Sequence, residues 1–309
     1  MTLPEARGGY PSHEWQGVEA TARTGGEVYQ GLDGRAHVKA GGNANTAGDN
    51  ITSYVEGNYK LTSNTADAFL PGQEVWWDAT NNEAVNQVNG DFLVGICLVD
   101  SAASADTVWV GLNLPGAYTV DMHADGYESV LVGAATSTDR GGLIDLAIIV
   151  TSEAEKSDAL SVGSFAVESG WIAEFEVDFA ASSSSANDHN IGVANATHAT
   201  SADTIAESIF VHVDGGANDI YVESDDGVIE VAATDTLKDK SAGTFVHVMI
   251  DGRNSSDVVI YIDGVEVTVA THVMANATGP LKLLAHVEKT TGNSTGNTRV
   301  RKMRAWTTG

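Results

Sequence analysis

The chain has 309 residues, with 42 acidic side chains against 16 basic ones and a formal net charge of −26. Such an excess repels phosphate backbones and anionic lipid heads, which argues against nucleic acid and a membrane surface as partners. A hydrophobic fraction of 42% supports a packed core, and a single cysteine, Cys97, excludes an intrachain disulfide. The acidic balance serves solubility, suits a salty medium where screening weakens self-repulsion, and provides cation ligands only where carboxylates cluster.

Residues 1–26 are punctuated by Gly and Pro and follow neither the helical nor the strand period. They carry two large aromatics, Tyr10 and Trp15, and are expected to form an extended arm, either one that orders on a partner or a disordered tail. The opening residues lack the apolar run of a secretory signal. Without such a signal, the Asn-x-Ser/Thr triplets at Asn50, Asn195, Asn254, Asn276 and Asn293 read as turn chemistry.

From Val28 to Leu114, short apolar runs follow Gly/Asn/Asp turns, which predicts strands at 51–55, 74–77, 92–99 and 107–112. In the last of these, Val108, Val110 and Leu112 share a face. The run 92–99 is apolar on both faces and is expected to be covered on both, one side by core and the other by a subunit contact. The segment 117–160 reads as a connection or as part of the domain that follows, with a strand at 143–150 and a short helix or turn at 153–160. Asp145 and its shortness exclude 143–150 as a membrane span.

From residue 161 onward strands recur at short spacing. Trp171 to Phe179 alternates cleanly: Trp171, Ala173, Phe175, Val177 and Phe179 face one way, and Ile172, Glu174, Glu176 and Asp178 the other. Further strands are expected at 209–213, 220–222, 228–231, 245–250, 258–262, 265–269, 281–287 and 300–306. Asp263-Gly264 predicts a hairpin turn, Asp226-Gly227 a second, and the serine run within 180–186 a loop. The chain is therefore expected to be all-β.

Three motifs in order carry a resemblance. Ala47-Gly48-Asp49 precedes a strand; Gly72-Gln73-Glu74-Val75-Trp76-Trp77-Asp78 follows; then Val94-Gly95-Ile96 leads through the loop 100–106 into Val108-Trp109-Val110. Over about residues 25–116 these resemble the decoration (cement) proteins of tailed-virus capsids. The resemblance implies a small β-barrel domain, here 27–116, on the outer capsid surface of a virion. It also implies the major capsid protein as partner and a homotrimer, with Tyr10, Trp15, Trp76 and Trp77 as candidate capsid contacts. The segments Phe245–Gly252 and Val258–Val265, with the closing strand Val300–Trp306, resemble the concanavalin A-like (laminin-G-like) jelly-roll β-sandwich over 161–309. Members of that fold bind glycans, bind proteins, cleave polysaccharides or act as spacers. The leading expectation is thus a capsid decoration protein and no enzyme; the alternatives are a glycan-binding adhesion module and a polysaccharide hydrolase.

The hydrolase alternative rests on Glu174, Glu176 and Asp178, three carboxylates on one strand face. A retaining glycosidase needs two carboxyl groups about 5 Å apart. The order Glu-Glu-Asp departs from the Glu-Asp-Glu of concanavalin A-like glycosidases, and alternation alone gives such a triplet on a solvent face. No catalytic residue is assigned. Asp-rich loops at 214–219, 223–226 and 251–257 match no EF-hand. No cofactor is expected apart from calcium, for which Asp225 and Asp226 are the candidates. The nine histidines form no HExxH or His-x-His motif, so no zinc site is expected, and His212, His247 and His286 read as ordinary strand-face residues. No Gly-x-Ser-x-Gly elbow or phosphate loop is present.

Overall fold

The structure is a computed structural model and describes residues 5–6, 14–18, 20–41, 43–86, 89–114, 118–149, 153–179, 187–214, 216–267, 270–289 and 295–307. By backbone contact the chain divides into two units, Met1–Ala117 with Asp263–Val265, and Tyr118–Ile262 with Glu266–Gly309.

The described strands of unit 1 are β1 (Glu5–Ala6), β2 (Glu14–Val18), β3 (Val28–Gln30), β4 (Ala36–Lys39), β5 (Asn50–Tyr54), β6 (Gly57–Thr62), β7 (Glu74–Asp78), β8 (Glu83–Val85), β9 (Phe92–Cys97) and β10 (Thr107–Leu112). They form two sheets, ordered β1-β6-β10-β9-β7-β8 and β2-β5-β4-β3. One core joins both, with Val28, Ala36 and Val38 from the second sheet meeting Tyr59, Leu61, Val75, Trp77, Val94, Val108, Val110 and Leu112 from the first. Asn113, just past β10, couples the two sheets. Its Oδ1 accepts from Ala36 N (2.9 Å), and its Nδ2 donates to Ala36 O (2.7 Å) and Val55 O (2.8 Å), so a side-chain amide supplies a rung that no strand provides. β9 is covered on one face within the chain. A bulge against Val75–Trp76 shifts its phase so that Val94 and Cys97 both face the core, while Leu93 is exposed.

Unit 2 contains β11 (Val120–Asp121), the one-turn helix α1 (Met122–Asp125), β12 (Tyr127–Val132), β13 (Thr136–Asp139), β14 (Ile144–Ile148), β15 (Glu155–Ser161), β16 (Phe165–Ala166), β17 (Trp171–Asp178), β18 (Asn187–Ala194), β19 (Glu207–Asp214), β20 (Asp219–Asp226), β21 (Glu230–Asp239), β22 (Val246–Gly252), β23 (Val259–Ile262), β24 (Val265–Glu266), β25 (Pro280–Lys289) and β26 (Gly296–Thr307). Two antiparallel sheets, β13-β14-β26-β17-β22-β23-β24 with β11 on β26, and β12-β15-β25-β18-β19-β20-β21 with β16 on β25, enclose a single apolar core. Trp171, Phe175, Val177 and Phe179 lie in that core, as the alternation predicts. The indole of Trp171 lies against Gly252, where a Cβ would come within 2.1 Å of the ring. The Asp263-Gly264 turn has both residues at positive φ, 50° and 78°, which matches the twist of its hairpin.

The segment 118–160 contributes strands to both sheets. The helix or turn expected at 153–160 is instead β15, a central strand paired with β12 and β25 and buried along its whole length. Its charged residues conceal it from sequence periodicity because Glu155 and Asp158 find partners on β25, far along the chain.

Candidate functional site

Glu174, Glu176 and Asp178 face away from the core on β17, but not into solvent. All three are buried, beneath arginines of the neighbouring β26. Arg304 donates from Nε to Glu174 Oε2 at 2.6 Å, and His247 Nε2 meets Glu174 Oε1 at 2.7 Å. Arg301 pairs with Glu176 and Arg299 with Asp178. Phe245 lies under Arg301 and Tyr118 under Arg304, ring centroids 4.1 Å from each guanidinium carbon, so the stack is roofed by aromatic faces.

A bulge makes this possible. Between Glu174 and Glu176 the pairing with β26 skips from Arg304 to Arg301, and Lys302 takes φ 55°. The bulge absorbs this extra residue, so Val300, Met303 and Ala305 stay in the core while Arg299, Arg301 and Arg304 all face the carboxylates. Burial opposes charge on Glu174, but Arg304 and His247 hold its carboxyl well below the usual range. A carboxylate locked in that form neither donates nor takes up a proton near neutrality, so Glu174 serves in an ion-pair ladder and not in proton transfer.

The outer face of the other sheet carries a second polar array. Asp158, His286, Asn190, His212 and Tyr221 stand opposite one another across five adjacent strands. One rung away, Lys156, Glu288, Asp188 and Asp214 form a parallel row. His286 Nδ1 meets Asp158 Oδ1 at 2.6 Å, and Lys156 Nζ meets Asp158 Oδ2 at 2.7 Å. The loop between β18 and β19 folds over this face, Ala202 and Ile205 packing on Leu160, Ala194, Phe210 and Leu284. That packing brings Asp203 to Asn190 and His212.

The charges here are displaced from their ordinary values. Burial works against charge on His212, yet Glu223, Asp203 and Asp214 around it lift it to about 9. Burial, with a hydrogen bond to Asp214, pushes Asp188 up to about 7. His286 is raised despite its burial, through Asp158 and Glu288. The histidines are thus working members of buried networks, not plain strand-face residues. Sequence spacing shows only the partners two residues away, Asp214 and Glu288, and hides Asp158, Asp203 and Glu223, which come from other segments.

His189 faces the opposite way, into the core, with Nδ1 2.5 Å from Thr298 Oγ1. Burial, with the nearby Lys240, brings it down to about 3. Its unfolded counterpart titrates near 6.5, so the folded chain holds it neutral; that stability is present above pH 6.5 and is lost as pH falls toward 3. Between pH 6.5 and 4 the loss from this group is about 3 kcal/mol. His189→Gln is expected to flatten the acid limb of a melting-temperature profile by a matching amount; an unchanged limb contradicts this.

Unit 1 holds a Ser-His-Asp order. His37 Nδ1 meets Ser53 Oγ at 2.8 Å and His37 Nε2 meets Asp33 Oδ1 at 3.0 Å. Ser53 and His37 are both fully buried, so the hydroxyl has no path to a substrate. The relay instead ties β4 to β5 and to the turn at Gly31, where a Cβ would come within 2.4 Å of the His37 ring.

Trp76 and Trp77 take opposite faces of β7. Trp77 belongs to the unit 1 core, whereas Trp76 is half-buried against Gly90. Trp15 lies on β2 opposite Ser53, and Tyr10 falls outside the described residues. Asp226 is buried and caps its turn: its carboxylate accepts from Val228 N, Ile229 N, Asn276 N and Asn276 Nδ2. Asp225 accepts from Gly227 N.

Residues 18–112 match the family model of phage cement proteins. Over that stretch the chain is similar to a phage cement protein. The match spans most of unit 1, and it points to a structural, virion-associated role and not to catalysis. No curated protein matches the chain. Among solved structures, the chain is similar to the carbohydrate-binding module CBM66 from Bacillus subtilis, at 10% identity over 58% of this chain and 95% of that one, with a TM-score of 0.38. It is similar to the carbohydrate recognition domain of Emp47p at 9% identity, covering 59% and 88%, with a TM-score of 0.43. It is also similar to LamAcat from Zobellia galactanivorans at 11% identity, covering 55% and 79%, with a TM-score of 0.41. At these identities and scores the likenesses assign neither ligand nor activity.

Proposed function

We propose that the chain is a capsid decoration protein. Its first unit binds the major capsid protein lattice on the outer surface of the head, as a homotrimer, and carries the sandwich on the virion. The cement-protein match over 18–112 is the observation that supports this reading. The edge positions of β1 and β2 add to it: each short strand of the N-terminal segment closes one sheet of unit 1. Edge strands of this kind join a partner's sheet by backbone pairing, with large aromatics such as Trp15 and Trp76 filling pockets. The strong negative charge sets a preference for a basic or neutral capsid surface.

The test is co-sedimentation of the purified chain with undecorated heads of the virus that encodes it. Saturable binding is expected, and deletion of residues 1–18 is expected to weaken it at least about tenfold, a loss of about 1.4 kcal/mol. Binding that does not saturate, or none, overturns the reading; full affinity after the deletion removes the arm from it.

A further inference from the structure

On the outer face of the β12-β15-β25-β18-β19-β20-β21 sheet, four side chains from four separate segments meet at one point. The Nδ2 of Asn190 lies 3.0 Å from Asp203 Oδ1, 3.0 Å from His212 Nδ1 and 2.7 Å from Glu223 Oε1. An amide nitrogen has two protons, so three acceptors cannot all be served. The same amide's Oδ1 is buried with no hydrogen-bond partner among the described residues, although Asn190 is fully buried. An orphaned carbonyl of that kind destabilises the fold unless something else satisfies it.

Protein atoms alone do not resolve the conflict. A proton on His212 Nδ1 would point at the amide protons of Asn190. Turning the amide over, which exchanges two atoms of nearly the same shape, places Oδ1 against two carboxylate oxygens and an imidazole nitrogen. With a cation among them, that turned arrangement becomes favourable: four lone pairs then converge on one positive centre. The ligand atoms of Asp203, His212 and Glu223 already lie within 4.8 Å of one another. His212 Nε2 meets Asp214 Oδ1 at 3.2 Å, so a carboxylate orients the imidazole from behind, as at histidine-ligated metals.

We propose that Asn190, Asp203, His212 and Glu223 bind one divalent transition-metal ion of the Zn²⁺ or Mn²⁺ type. One imidazole nitrogen with three oxygens suits these ions, whereas Ca²⁺ and Mg²⁺ favour oxygen alone. The two carboxylates balance the charge, and the ion takes the place of the proton they otherwise hold on the His212 imidazole. Asp203 is half exposed and, with Glu223, Ser208, Asp225 and Glu230, lines a shallow pocket that gives the ion an entry and room for water. The metal would fasten the β18–β19 loop to the sheet, through ligands that sequence spacing does not connect.

The full chain, stripped with a chelator, is titrated calorimetrically with Zn²⁺ and separately with Mn²⁺ in neutral buffer. One ion per chain is expected, bound at least about tenfold more weakly by Asp203→Asn and by Glu223→Gln. Asp203 lies on an exposed turn, so its variant keeps the fold, which circular dichroism verifies. Asp225→Asn, in the same pocket but outside the ligand set, is the control and is expected to bind like the parent. Absence of saturable binding, or equal losses in Asp203→Asn and Asp225→Asn, overturns the proposal; the second result marks general attraction to an acidic surface.

Discussion

Deleting Lys302 is expected to leave the second unit folded with its arginine ladder in place, and Lys302→Gly is expected to make it slightly more stable. Lys302 is the extra residue of the β26 bulge and holds a left-handed backbone, φ 55°. On its two sides the strand runs in opposite phase: Met303 and Ala305 point into the core on one side and Val300 on the other. Without it, Val300, Arg301, Met303, Arg304 and Ala305 follow a regular period of two, so Val300, Met303 and Ala305 keep the core and Arg301 and Arg304 keep their carboxylates with no bulge. Glycine keeps the bulge and relieves a backbone cost of about 1 kcal/mol, against loss of the long Lys302–Glu176 contact at 3.8 Å. Circular dichroism and thermal melts of the two variants read this directly. A deletion variant that fails to fold contradicts the account of the bulge.

Lys289→Met is expected to cost about 3–5 kcal/mol, and Lys289→Met with Glu155→Met to recover most of it. Lys289 Nζ lies 3.1 Å from Glu155 Oε2, both side chains are fully buried, and their strands pair in register. The single change leaves a carboxylate with its neighbouring cation gone in a dry setting; the double change leaves two apolar side chains of similar volume. For a unit of this size the single variant corresponds to a fall of about 10 °C in melting temperature. Glu155 also accepts from Ile149 N at 3.3 Å, which is why recovery is expected to be incomplete. Additive losses in the double variant contradict the pairing.

The sequence shows the core more readily than it shows the sites. Trp171 to Phe179 alternates because its inner face packs on the opposite sheet, and the Asp263-Gly264 turn shows because its backbone demands those residues. The charged outer faces do not show. Glu174, Glu176 and Asp178 look solvent-facing because their arginine cover lies some 125 residues downstream on β26. β15 looks like a turn because Lys156 and Asp158 are satisfied by one another and by His286. A local signal for the bulges does exist. Val300 and Met303, and likewise Val94 and Cys97, are core residues three apart within a strand, a spacing that a regular strand does not allow. The Asn190 cluster has no such signal, since its four members come from β18, a loop, β19 and β20 and meet only through sheet register.

The most direct test of the central claim is a reconstruction of heads decorated with the full chain, compared with undecorated heads. The account predicts added density at the symmetry positions of the capsid lattice, in which unit 1 touches the shell and the sandwich does not. Density absent from the lattice, or contact made by the sandwich with unit 1 held away, contradicts it.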